Sequence, residues 1–210
     1  MRSIHPYDPY IPENATKLIV GTMPPYRFCV PHNDLEKLYD NDVNFYYGSR
    51  DNCFWKLISE AIGSPEPVCE NSEAAIQQRK DLLERLNVGV TDIVQYCIHE
   101  NQKSDDESLK DIMSKPLDDL LLKYPNIDTL LYTSKKVGSL VYNHILKKHK
   151  TYHKSSNKES WEYYFYINEN KYDVVYLYSP SRMALKGLGK GGFEKRSAQY
   201  KEVFGKNFLM

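Results

Sequence analysis

The sequence lacks most of the motifs that identify a class of protein at once. Its four cysteines stand singly at positions 29, 53, 69 and 97, without a C-x-x-C pair, which argues against zinc and iron–sulfur sites. We therefore expect no metal and no cofactor. No G-x-x-x-x-G-K-[ST] phosphate loop is present, and the glycine-rich run 187–192 does not directly follow a predicted strand, so we interpret it as a flexible loop.

Net charge and long apolar runs are also missing. With 28 basic and 28 acidic residues, the overall field selects no partner, and any nucleic-acid site must be a local basic patch. No apolar run reaches the length of a membrane span, and Pro6, Asp8, Pro9 and Pro12 stand where a signal peptide needs its apolar core. We expect a cytoplasmic protein that meets no membrane, with one domain over 1–210 and a surface-wrapping N-terminal segment, 1–16.

What the sequence does contain is an alternation of short apolar strands and amphipathic helices. Helices are predicted after the capping residues Asn52 (or Asp51), Ser72 and Ser134, and two short helical pieces split at Pro116 follow a polar loop, 99–108. This pattern predicts a three-layer α/β/α fold with a mostly parallel central sheet of about four strands. The predicted strands are residues 17–22, 88–94, 127–132, 161–167 and 172–178.

Residues 45–55 combine aromatic rings, a glycine turn and an asparagine at a predicted helix start. Tyr46 or Tyr47 offers a flat ring to a planar ligand, and Asp51 or Asn52 can cap the helix and present an amide to a pocket. An ordinary N-cap beside core aromatic residues explains the same pattern. From the residues alone, both interpretations stay open.

Four segments, in order, resemble motifs of the uracil-DNA glycosylase superfamily, closest to its mismatch-specific uracil and hypoxanthine branches. Residues 21–25, GTMPP, resemble the G-x-N-P-G loop, in a form closer to the G-S-M-P-G of the hypoxanthine branch. Residues 47–55 resemble the aromatic-A-H-P-x-N-x-F-W stretch, and 88–94 the G-[IV]-T-D strand. Residues 179–181, Ser-Pro-Ser, resemble the late N-P-S or H-P-S loop. The resemblance runs from about residue 18 to the last helix.

The resemblance implies an enzyme, a monofunctional DNA glycosylase. Such an enzyme hydrolyses the N-glycosidic bond of a deaminated base, uracil or hypoxanthine, that is flipped out of double-stranded DNA. The ring of Tyr47 would stack on the base. The base-binding positions implied by the resemblance are Gly21, Thr22, Met23, Pro24, Tyr47 and Ser179.

The catalytic assignment also follows from the resemblance. Met23 stands where other branches have a water-positioning Asn, Asp or Glu; the hypoxanthine branch shares this loss and uses the later asparagine, which here is Asn52. An amide is a poor base, so Asn52 would hold water or the base while an oxocarbenium-like sugar forms. Because Met23 and Ser179 depart from the family pattern, the alternative is a DNA-binding or damaged-base-binding module that has lost catalysis.

The late loop and the residues after it are the implied DNA contacts. Met183 or Leu185 falls where the family inserts a side chain into the emptied base stack. Between 182 and 206, seven basic residues stand against two acidic ones, as expected for phosphate contacts. Asp92 is predicted to end a strand rather than to line a pocket. We expect a monomer acting on double-stranded DNA with a damaged or mismatched base, contacted by Pro180, Ser181, Arg182, Met183, Leu185, Lys186 and Lys190.

Overall fold

The computed structural model describes residues 2–31, 38–143, 148, 152–154, 162–185, 189 and 191–205. The strands of the described chain are β1 (Ser3–Ile4), β2 (Lys17–Gly21), β3 (Val88–Asp92), β4 (Val94–His99), β5 (Leu109–Ser114), β6 (Thr129–Tyr132), β7 (Tyr152–Lys154), β8 (Glu162–Ile167) and β9 (Asn170–Tyr176). Its α-helices are α1 (Phe54–Ile62), α2 (Glu73–Leu86), α3 (Leu117–Lys123), α4 (Lys135–Val141), α5 (Arg182–Leu185) and α6 (Gly192–Phe204).

The central sheet has the strand order β3-β2-β6-β9-β8-β7. Its first four strands are parallel, and β8 and β7 extend the sheet as antiparallel strands. Gly21 pairs with Asp92, and Val20 pairs with both Thr91 and Tyr132, so β2, β3 and β6 end at the same edge. The predicted mostly parallel central sheet is confirmed, although it has six strands rather than about four, of which four form the parallel part.

Helices cover both faces of this sheet. Successive residues of β2 point to opposite sides: Leu18 and Val20 pack in the cluster that includes α3 and α4, whereas Ile19 packs in the cluster of α1, α2 and α6. Burial on both faces explains why the parallel strands are almost continuously apolar. The three-layer α/β/α prediction is thus confirmed.

Two of the three predicted helix caps are present; the third is not, because the N-cap of α1 is Cys53 rather than Asn52 or Asp51 and makes no side-chain cap hydrogen bond. The Ser72 hydroxyl accepts a hydrogen bond from the Ala75 amide, and the Ser134 hydroxyl accepts one from the Val137 amide, each at 3.2 Å. Such caps satisfy amides that the first helical turn leaves without a partner. The cap at Ser134 is relevant to the site because it begins α4 directly after β6.

A second sheet, β1-β4-β5, corrects two sequence predictions. The helical piece expected before Pro116 is strand β5, which pairs with β4 in an antiparallel hairpin and buries Leu109. The N-terminal segment does not simply wrap the surface: β1 pairs with β4, and Ser3 and His5 are buried. Tertiary pairing decides the structure of both segments, which carry little local periodicity.

Candidate active site

A cavity of about 1680 Å³ opens at the carboxyl ends of the parallel strands. The segment after β2, the end of β3, the residues after β6 and the loop after β9 all contribute to its wall. In open α/β sheets this edge is where ligands bind. The cavity is larger than the roughly 300–1,000 Å³ of many small-molecule pockets, so it has room for more than one small ring.

Tyr47 lines the cavity with its ring supported from one side. The ring stacks on Phe54 at a centroid distance of 4.2 Å and an angle of 20°, and its hydroxyl lies 3.2 Å from Oγ1 of Thr133. Burial, followed by the negative charge of Asp92, raises the pKa of Tyr47 well above its usual value, so the phenol stays neutral. The neighbouring Tyr46 instead packs in the core, with 2% exposure.

A tight turn sets the position of Tyr47. Tyr47 has a φ of 52°, an unusual conformation for a residue with a side chain. The amide of Val43 donates to the carbonyl of Gly48 at 2.8 Å, and a Cβ on Gly48 would overlap the carbonyl oxygen of Val43. Glycine is therefore required beside Tyr47, which explains the Tyr-Gly pair in the sequence.

Asn52 lies at the start of α1, against the late loop, and also lines the cavity. Its Oδ1 accepts a hydrogen bond from the amide of Phe54, the first residue of α1, at 2.8 Å, although the N-cap itself is Cys53 and not Asn52 as predicted. The amide of Cys53 donates to the carbonyl of Pro180 at 2.9 Å, and the amide of Arg182 donates to that of Asp51 at 3.0 Å. These backbone bonds join two segments about 130 positions apart into one wall of the site.

The buried side chain of Arg196 stabilises the contact between the start of α1 and the late loop. Arg196 lies on α6 with only 1% exposure, and its Nη1 donates to the carbonyl of Ser181 at 3.1 Å. Arg196 was predicted to belong to a surface basic patch, and that placement is wrong. Its guanidinium fixes the late loop and is not exposed to a phosphate.

The other predicted DNA contacts lie at the rim or outside the described residues. Arg182 is exposed, and Met183, at 70% exposure, lines the cavity rim. Leu185 ends the short helix α5. Lys186 and Lys190 lie outside the described residues. The base-binding candidates Thr22, Met23, Pro24 and Ser179 line the same cavity, and Gly21 lies below it.

Asp92 is a cavity residue that sequence reasoning missed. It ends β3 with 6% exposure, and its carboxylate oxygen Oδ1 lies so close to Gly21 that a Cβ there would overlap it. Its other oxygen, Oδ2, lies 2.8 Å from Nε2 of His5. Asp92 ends a strand, as predicted, and it also lines the cavity, the role that the sequence favoured less. A charged residue inside the apolar run 88–94 was the available signal.

Asp106 is a second carboxyl group that the sequence analysis left without a role. It lies in the loop before β5, beside the hydroxyls of Thr22 and Ser134, which are 3.0 Å apart. Burial raises the pKa of Asp106, although hydrogen bonds from these two hydroxyls act in the opposite direction. Asp92 and Asp106 are two of the five acidic residues that line the cavity; the others are Asp51, Asp105 and Glu107.

No group of three or more His, Cys, Asp or Glu side chains suited to a metal ion occurs among the described residues. Within the same residues, no helix is both long and apolar enough to cross a membrane. Cys29, Cys53 and Cys97 are buried and Cys69 is exposed, all as free thiols.

Together, the fold and the site define an α/β/α domain with a mostly apolar, aromatic-walled cavity, which also carries polar and acidic side chains, at the carboxyl edge of its sheet. No family model matches the sequence, and no curated protein matches it. The chain is similar in structure to a putative uracil DNA glycosylase from Methanosarcina acetivorans, solved in solution by NMR, with a TM-score of 0.61. The two are 20% identical, and the match covers 97% of each chain. At this identity, the likeness establishes a shared fold over almost the whole length.

Proposed function

We propose that this protein is a monofunctional DNA glycosylase of the uracil-DNA glycosylase superfamily, close to its mismatch-specific uracil and hypoxanthine branches. Its substrate would be double-stranded DNA with a deaminated base, uracil or hypoxanthine, and it would act as a cytoplasmic monomer. The observation that carries the proposal is one cavity, at the carboxyl edge of the sheet, lined by the Tyr47 ring, the Asn52 carboxamide and the Asp92 carboxylate. The shared fold with the archaeal protein supports it.

In this proposal the base enters the cavity after it has been flipped out of the duplex. Phe54 covers one face of the Tyr47 ring, and the base would stack on the other face. A carboxylate only accepts hydrogen bonds, so Asp92 would accept the N3–H of uracil or the N1–H of hypoxanthine. This contact would distinguish uracil and hypoxanthine from cytosine and adenine, the bases they derive from, whose corresponding ring nitrogens carry no proton.

Hydrolysis places positive charge on the sugar and negative charge on the leaving base. Asn52 would hold the attacking water, because its Oδ1 has a second lone pair beyond the one used by the Phe54 amide. Its contribution would be orientation rather than proton removal. Water would then attack the sugar directly, without a covalent intermediate on the enzyme.

The DNA would be held by the rim of the cavity. Met183 is an exposed apolar side chain beside the late loop, suited to fill the stack that the flipped base leaves. Arg182 and Ser181 would contact the phosphates, whereas Pro180, which is buried and has no N–H to donate, would hold the loop in place through its carbonyl. Phosphate contacts make affinity depend on salt, so duplex binding should weaken as the salt concentration rises.

The direct test is base release from duplexes with a single uracil, hypoxanthine or xanthine, detected by strand cleavage at the abasic sites. We expect release from at least one duplex by the wild-type protein and strongly reduced release by Asn52→Ala. Lys171→Met, an exposed substitution on β9, is the control and should behave as wild type. No release from any duplex would refute the proposal.

A binding module without catalysis is the second candidate, and Met23 favours it. Met23 lines the cavity directly after β2, and a thioether cannot orient water as a carboxylate or carboxamide does. This candidate predicts tight, salt-sensitive binding to duplexes with a damaged base, without base release. Measuring binding and release on the same duplexes separates the two functions.

A further inference from the structure

His5 is a buried titratable residue that the proposed mechanism does not yet use. It follows β1, and its Nε2 lies 2.8 Å from Oδ2 of Asp92, with side-chain exposures of 1% and 8%. Asp92 borders both the main cavity and a smaller one of about 410 Å³, which His5 also lines. His5 thus holds Asp92 from the side away from Gly21.

Lys115, between β5 and α3, lies behind His5. Its Nζ is 3.1 Å from Nδ1 of His5 and donates to the carbonyl of Tyr7 at 3.2 Å. The amide of Tyr7 also donates to Nδ1 at 3.1 Å, which makes Nδ1 an acceptor and leaves the ring proton on Nε2. If the ring were doubly protonated, Nδ1 would donate to the Tyr7 carbonyl at 2.9 Å, and Nε2 would still donate to Asp92.

The charged groups around Asp92 show what the contacts from Lys115 through His5 to Asp92 contribute. Burial lowers the pKa of Lys115 to about 8, although Asp92 and Asp8 attract its proton. Lys115 is therefore mostly a cation at neutral pH. The Asp106 carboxyl also faces Asp92. Four further neighbours have pKa values raised by burial and are neutral at pH 7; they are Tyr7, Cys29, Tyr46 and Tyr47. Asp119 and Lys123 line the same small cavity as Lys115.

We infer that His5 and Lys115 are positioning residues that hold the Asp92 carboxylate toward the base and offset its negative charge. This inference rests on the proposed function. A leaving base gains negative charge, and an uncompensated carboxylate beside it would oppose that change. The cation behind His5 lets Asp92 accept a hydrogen bond from the base at a smaller electrostatic cost. The N-terminal segment, which contains His5, is then part of the site, although the other site residues lie far from it in the sequence.

The test compares Lys115→Met, Lys115→Arg and the charge-matched control Lys171→Met, which also removes a lysine next to an aspartate. Single-turnover base release from uracil and hypoxanthine duplexes is measured between pH 6 and 10, together with duplex affinity. We expect Lys115→Met to slow release about 10- to 100-fold, the range found when outer groups that orient a ligand are removed. Affinity for an undamaged duplex should stay unchanged, because that binding does not depend on a base held by Asp92.

The pH profile separates a positioning role from a merely structural one. Wild-type release should fall as the pH rises through about 8, because Lys115 then loses its proton. Lys115→Met should be slow without this alkaline decline, and Lys115→Arg should restore the rate and keep it at high pH. An unchanged alkaline decline in Lys115→Met, or equal losses of release, affinity and thermal stability, would overturn the inference.

A second measurement stays decisive if the wild-type protein releases no base. Nitrogen-15 NMR of the His5 ring reports which nitrogen carries the proton. A proton on Nε2, alone or in the doubly protonated ring, supports the inferred contacts from Lys115 through His5 to Asp92. A ring protonated only on Nδ1 cannot donate to Asp92 and overturns it. Absence of base release by itself refutes the proposed function. The NMR result then still shows whether His5 donates a hydrogen bond to Asp92.

Discussion

Gly21→Ala is the sharpest perturbation of the proposed site, because one methyl group meets two of its functional groups. The methyl would overlap Oδ1 of Asp92 and lie 2.6 Å from the hydroxyl of Tyr47. Both neighbours are anchored: Asp92 by His5 and Tyr47 by Thr133. We expect overpacking to cost about 1–3 kcal/mol of folding free energy. A displacement of about 1 Å at either group should slow base release on the order of 100-fold.

The matched control is Gly89→Ala, which adds the same methyl to the neighbouring strand. There the methyl would lie 3.1 Å from side-chain carbons of Ile11 and Leu18, whose flexible ends can move, and it meets no cavity residue. Urea unfolding and single-turnover base release are measured for both variants. Gly89→Ala should lose some stability and keep release. Equal release rates in the two variants would refute the idea that close packing against Gly21 fixes the positions of the Asp92 and Tyr47 side chains.

Two further predictions concern buried charges beside the cavity. Arg196→Met removes the hydrogen bond that the guanidinium donates to the Ser181 carbonyl. Because a hydrogen bond to a charged group contributes about 1.5–3 kcal/mol, amide hydrogen exchange at Cys53 and Arg182 should accelerate about tenfold or more. Unchanged exchange would contradict a supporting role for Arg196. The raised pKa of Asp106 means that its charged form destabilises the fold above about pH 4, the ordinary pKa of an aspartate, and that this penalty disappears in acid. Asp106→Asn should therefore raise the melting temperature at pH 7 and leave it nearly unchanged at pH 3, and a lower melting temperature at pH 7 would contradict the reasoning.

The parallel part of the fold was predictable because its strands are short, apolar and separated by helix caps. Lys17–Gly21 and Val88–Asp92 are buried on both faces, and such strands give a strong signal in sequence. β1 and β5 gave no such signal. β1 has only two residues, and in β5 the buried Leu109 is followed by two consecutive exposed residues, Lys110 and Asp111, so the strand does not alternate regularly. Both depend on β4 for their hydrogen bonds.

The site was predictable only where its residues belong to local patterns. Tyr47 and Asn52 stand in one stretch with a glycine turn and a helix start, and the structure brings them to the same cavity; their assigned roles stay predictions. The contact of His5 with Asp92 joins residues 87 positions apart, and no local pattern encodes it. Arg196 is the opposite case, because a local pattern in the sequence predicted the wrong position for its side chain. It belongs to a basic run, but its position on α6 turns it into the core.

Asn52 has a structural role that must be separated from its proposed catalytic one. Asn52→Ala removes the Oδ1 that accepts the Phe54 amide, at a cost of about 1 kcal/mol, so lost base release in that variant has two explanations. Asn52→Asp keeps this acceptor and adds a negative charge at a helix start, worth about 0.3–1 kcal/mol in favour of folding. If the carboxamide itself holds the water or the base, Asn52→Asp should be at least as stable as wild type in thermal unfolding and still release base slowly. If Asn52 acts only through α1, the Asp variant should release base at the wild-type rate, and the catalytic assignment would then be wrong.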